Sequence, residues 1–203
     1  MTEFAAAAEA LGVGVAAPVA EAARGTTDWL FERWDAEQTR WAVRRSGLAA
    51  PQGADFHRLG VAPYSVSEAH GNLILNAGWT RLMNLLTNQG ATQAYDATHT
   101  RIGAGNGSTA AAYTDTDLSA AAGSANRWFQ LVSAAGTLGT RTLAWSATFG
   151  TADGNFAWNE FGIDQGTASG NTVTAPLLNR ALSSQGTKAS GQTWTATATI
   201  TWT

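Results

Sequence analysis

The chain is predicted to be mainly β: an antiparallel β-sandwich or partly open barrel with one packed helix, preceded by an N-terminal helical arm and an extended linker. Three observations lead there. The last twelve residues, QTWTATATITWT, alternate without a break, with Trp194, Ala196, Ala198, Ile200 and Trp202 on one face and threonines on the other. Successive side chains of a strand point to opposite faces, so this is a half-buried strand of β-branched and aromatic residues. Beyond Gly90, short apolar runs recur between clusters of Gly, Ser, Asn and Asp, the rhythm of a sandwich or barrel. A single helical period, Leu75, Trp79, Leu82 and Leu86, interrupts that pattern.

Six strands are expected, around HTRIGA, NRWFQLVS, TRTLAWSATFG, FAWNEFGID, PLLNRALSS and the final segment. In TRTLAWSATFG the residues Leu143, Trp145, Ala147 and Phe149 take the inward face. The helix is expected from about Leu73 to Asn88, stopped by the Asn88 to Gly90 turn, and is placed against one face of the sheet.

Charge separates the first third from the rest. Residues 1–70 carry nine acidic and six basic side chains, and the remaining 133 residues carry six of each. On this basis residues 1–46 are read as a helical arm or anchor, 47–70 as an extended linker containing Pro51 and Pro63, and 71–203 as the β-rich domain. Residues 4–23 are Ala-rich but interrupted by Gly12, Gly14 and Pro18, which suits a frayed helix or an arm. From Thr27 or Asp28, a cap, to Arg44 and Arg45 before Gly47, acid leads and base follows, which fits a helix dipole.

On that predicted helix Leu30, Trp34 and Trp41 share a stripe, and something must cover it. Two readings compete: packing onto the chain's own β domain, or docking onto a neighbouring subunit. Under the second, Trp29, Leu30, Trp34, Trp41, Arg44 and Arg45 form an assembly interface.

Composition narrows the chemistry. The net charge of −3 and a single lysine, Lys188, offer no clustered cations for nucleic acid or anionic membrane. Cysteine is absent, so disulfides and thiolate metal sites are excluded. The N-terminus is apolar but carries Glu3 and Glu9 where a signal peptide needs base, and no run reaches membrane-spanning length.

Candidate chemical motifs are weak. RIGAGNGS, 101–108, lacks the spacing of a dinucleotide fingerprint and the Lys of a phosphate loop, and is read as a tight surface turn. Asp115 and Asp117 are close enough in sequence to share a cation, or Thr116 or Asp117 caps a short helix at LSAAAG. Asp153, Glu160 and Asp164 are the acids a hydrolase of the two-carboxylate kind would use; alternatively Asn159 and Glu160 bond Arg180 or Arg127 within the sheet. His57, His70 and His99 show no metal-ligand spacing. No catalytic residue, metal or cofactor is assigned, and a non-enzymatic protein is expected.

The strings HGNLILNAG, RIGAGNGSTAA, TDTDLSAAAGSANRWFQ, ATFGTADGNFAWNEFGI and LLNRALSSQGTKASGQTWTATATITWT, in this order, resemble small structural proteins of tailed bacteriophages over about residues 70–203. The resemblance implies a virion component assembled in the host cytoplasm. The first expectation is an accessory head protein, of the decoration or minor capsid kind, docking through its N-terminal region. The alternative is a minor tail or fibre protein whose β domain binds carbohydrate or receptor, with Tyr113 or Trp128 as sugar platforms. Its expected partners are major capsid or tail proteins and further copies of itself, a trimer being one closed arrangement.

Overall fold

The computed structural model describes residues 25–90 and 93–202. The arm expected over residues 4–23 lies outside them. The described chain runs β1 (Gly25–Trp34), α1 (Ala36–Ser46), α2 (Gly53–Arg58), β2 (Ser65–His70), β3 (Leu73–Ile74), α3 (Asn76–Thr87), β4 (Thr100–Gly105), β5 (Arg127–Leu131), β6 (Thr137–Gly139), β7 (Thr142–Phe149), β8 (Glu160–Gln165), β9 (Asn179–Leu182) and β10 (Thr193–Trp202).

Two antiparallel sheets of five strands, ordered β2-β1-β10-β7-β6 and β3-β9-β8-β4-β5, form a β-sandwich. Among the described residues each sheet keeps two edges, so the barrel alternative falls. Their inner faces meet through Trp29, Phe31, Ala147, Trp194 and Ala196 from the first sheet and Ile102, Ala104, Phe161 and Ile163 from the second, all buried. The Phe31 and Phe161 rings are 4.6 Å apart and those of Trp158 and Trp194 5.0 Å, the tilted and edge-on geometries aromatic rings prefer.

The final strand has the predicted faces and lies inside its sheet. β10 pairs with β1 on one side and β7 on the other, so it is the middle of its sheet and not an open edge. Its threonine face is partly dry: Thr193 and Thr195 are each 2% exposed, because α1 and α2 lie over them. The Thr39 hydroxyl sits 3.3 Å from that of Thr193, and a Cβ on Gly53 would stand 2.7 Å from the Thr195 methyl.

All six expected strands are present as β4, β5, β7, β8, β9 and β10. The helix over Leu73 to Asn88 is present as α3, with Leu73–Ile74 diverted into β3 and Asn88 capping in the left-handed region.

The helix expected from Thr27 is corrected. Residues 25–34 are a strand, paired along its whole length with β10. Thr27, Trp29, Phe31 and Arg33 face the inside at a period of two and are buried, which outweighs the helical spacing of Leu30, Trp34 and Trp41. The helix begins only at Ala36, where Asp35 accepts from the backbone N–H of Glu37 and Gln38 and Gln38 returns the bond; it ends as expected with Arg44 and Arg45 before Gly47, at φ 74°. The linker over 47–70 is also corrected, because it contains α2 and the edge strand β2. Residues 25–70 are thus part of the sandwich and not an appendage to it. Among the described residues no helix is long and apolar enough to cross a membrane.

Candidate functional site

α1 lies on the outer face of the first sheet. Thr39 and Ala42 are buried beneath it, and Trp34, projecting outward from β1, stacks on Phe56 of α2 at 4.5 Å and donates its indole N–H to the Val61 carbonyl at 3.0 Å. Trp34, Ala42 and Phe56 form a small separate core, and this fixes the helix rigidly. Its opposite face carries Trp41, 40% exposed, with Arg44 and Arg45 also exposed. Residues at i, i+3 and i+4 are neighbours on a helix, so these three make one patch. Trp41 also borders a depression of about 240 Å³ with Glu37, Gln38 and Val61.

The six predicted interface residues are therefore divided. Trp41, Arg44 and Arg45 are brought together on the surface. Trp29 (1%) and Trp34 (0%) are core residues, because strand alternation and the α2 contact bury them, and Leu30 is half-buried on β1. As an interface, Trp29 and Trp34 are corrected.

Of the three acids that a two-carboxylate hydrolase would use, Glu160 and Asp164 are structural struts. Glu160 is fully buried; its carboxylate accepts from the backbone N–H of Ser119 (2.9 Å) and Ala120 (2.7 Å), the Ser119 hydroxyl (3.0 Å) and two nitrogens of Arg180 (2.9 and 2.7 Å). Four of these donors converge on Oε2 and one, the Ala120 N–H, on Oε1, so the carboxylate is tied to the protein's own groups in a fully buried position. Asp164, also buried, pairs with Arg101 (Nε–Oδ1 2.9 Å) and accepts from Thr174 N–H. Burial pushes its carboxyl above the usual range, and Arg101 only partly offsets that. Asp153 sits on the turn after β7, beside Gly150.

Asp115 and Asp117 do not converge on a shared point. Asp115 pairs with Arg180 at 2.6 Å and Asp117 with Arg127 at 2.7 Å. Burial works against the charge of Asp115, but the Ala112 N–H and Arg180 together outweigh it and hold the carboxyl below its ordinary range. Asp117 caps the N–H of Leu118 at 2.7 Å, although no helix follows it.

RIGAGNGS is corrected from a surface turn to a fully buried strand and its exit. Its glycines make room: a Cβ on Gly107 would stand 2.3 Å from Glu160 Oε1, and one on Gly103 2.6 Å from the Phe129 ring. Glycine at every second position marks one face of the chain stripped for close approach, which is the sequence signal of this buried path.

The histidines are separate. His57 meets Glu32 at 2.9 Å, His70 meets Asp28 at 3.1 Å and His99 meets Asp96 at 2.8 Å. His57 and Glu32 border a cavity of about 340 Å³ whose remaining polar lining is mostly hydroxyls and an amide, among them Ser133, Thr148 and Thr195. Of the two rings named as sugar platforms, Tyr113 is 61% exposed, whereas Trp128 is half-buried against the core with its N–H on Gln130.

Comparison with protein-family models, curated proteins and solved structures finds no match for this chain.

Proposed function

We propose that the protein is a structural component of a tailed-phage virion, an accessory head protein of the decoration or minor capsid kind, and that it docks on neighbouring virion proteins through Trp41, Arg44 and Arg45. The observation that carries this reading is the patch itself: a large aromatic ring flanked by two arginines on a helix clamped to a rigid sandwich. Tryptophan and arginine are the residues most enriched where protein interfaces gain their energy. The resemblance to phage structural proteins supports it, and so does the occupation of Glu160 and Asp164 by arginine partners and backbone donors. The docking element is narrower than the whole N-terminal region, because Trp29 and Trp34 are committed to the core.

The test is incorporation. Particles of the parent phage are assembled with the wild-type chain or with W41A/R44A/R45A, and the protein is located by cryo-electron microscopy. The variant should remain folded and be lost from the particles. Unchanged occupancy would exclude the patch, and absence of the wild-type chain from particles would exclude the virion reading. The tail-fibre alternative retains Tyr113 as its exposed ring; glycan binding lost in Y113A would favour it instead.

A further inference from the structure

Among the described residues an apolar groove of about 680 Å³ lies between α3 and the β6–β7 hairpin. Met83 and Leu86 form one wall, Leu138 and Leu143 the other, and Trp202 stands with Trp79 at one side, their rings 5.6 Å apart. Met83 is 46% exposed, Leu86 78% and Leu138 80%. Large apolar side chains gathered in this way around a concavity mark a binding surface.

The described chain begins beside this groove. Gly25 pairs with Trp202 across β1 and β10, and a Cβ on Gly25 would stand 2.7 Å from the Trp202 ring. Gly25, the residue to which the first 24 are joined, is thus itself against a groove residue. In sequence they are 24 residues with Phe4, Leu11, Val13, Val15 and Val19 among many alanines, and no charge between Glu9 and Glu21. A chain spans about 3.3 Å per extended residue, so this apolar stretch has ample reach. We propose that the groove is the seat of the chain's own N-terminal segment, residues 4–19. This inference is independent of the virion reading, since it concerns another face of the sandwich from Trp41.

The test uses the full-length protein with a photo-crosslinking residue in place of Leu138, and separately in place of Met83 or, as a control on β2, Val66. Arg24 is the first basic residue, so trypsin releases Met1–Arg24 intact. After irradiation, probes at 138 and 83 should carry Met1–Arg24 in a species of monomer mass, and the probe at 66 should not. Met1–Arg24 joined only at dimer mass would give the groove to a second copy's segment and overturn the proposal. Crosslinks to other peptides alone, or equal capture of Met1–Arg24 at position 66, would overturn it as well.

Discussion

Arg180 on β9 and Glu160 on β8 form a buried ion pair, with Nη2 2.7 Å from Oε2 and neither side chain more than 2% exposed. The same carboxylate holds the backbone of Ser119 and Ala120, and the same guanidinium reaches Asp115 and the carbonyl of Thr109. Two side chains of adjacent strands thereby pin the connection between β4 and β5 onto the second sheet.

Removing one member of such a pair strands the other. Glu160→Gln is expected to cost about 3–5 kcal/mol in urea unfolding, because it leaves the buried guanidinium with only the partly exposed Asp115 as counter-charge. The E160Q/R180M double substitution should cost less than the two single substitutions together, because either alone already breaks the pair. A double substitution as costly as the sum of the single ones would show that the two residues act independently.

Lys188 gives the fold a pH dependence on the alkaline side. Its Nζ donates to the Gly150 carbonyl and the Asn155 amide oxygen, each at 2.7 Å. Burial pushes its ammonium down from 10.5 to about 8, partly offset by Asp153. The folded pKa lies below the unfolded one, so the buried charge is at full cost below pH 8. That cost, about 3 kcal/mol at a tenfold change per 1.36 kcal/mol, is relieved as pH rises from about 8 to 10.5. Unfolding free energies of wild type and K188M, measured between pH 7 and 10.5, should show a difference that shifts in favour of wild type across this window. A difference independent of pH would contradict the argument.

Gly78 sets how closely α3 approaches the second sheet. A Cβ there would meet the Leu178 carbonyl oxygen at 2.1 Å, and Leu178 O also accepts the N–H of Leu75 at 3.0 Å. Backbone cannot yield as a side-chain tip can, so Gly78→Ala must push the helix outward despite alanine's higher helix propensity. A loss of about 1–3 kcal/mol is expected from the strain of overpacking, read as a lowered urea midpoint. A raised midpoint would mean that the approach is looser than described.

Legibility in the sequence followed locality. Six of the seven strands from Thr100 onward and the helix at Asn76–Thr87 are readable because each carries its own period and its own turn residues. β1 is not, because Leu30, Trp34 and Trp41 satisfy a helical spacing while Thr27, Trp29, Phe31 and Arg33 satisfy a strand. The choice between them is made by β10, far along the chain. β2 is short and polar, and β6 is three exposed residues; neither announces itself before its partner strand is known. The Glu160–Arg180 pair was among the sequence alternatives, whereas Arg101–Asp164 was not, since nothing local relates residues that meet only across β4 and β8.

Trp34 and Trp41 lie seven residues apart in sequence and should behave in opposite ways. Trp34 is fully buried, stacked on Phe56 and bonded to Val61, so Trp34→Ala removes a ring from a sealed pocket and should cost about 3–5 kcal/mol. Trp41 is 40% exposed and lies on the outer side of a helix whose buried contacts are Thr39 and Ala42. Trp41→Ala should therefore change stability by less than about 1 kcal/mol, nearer the roughly 0.5 kcal/mol usual for surface substitutions than the cost of a core deletion, while impairing particle incorporation. Thermal unfolding of the two single variants separates the cases without any particle assay. If Trp41→Ala destabilises as much as Trp34→Ala, the ring is part of the fold's own packing and the docking patch loses its central residue.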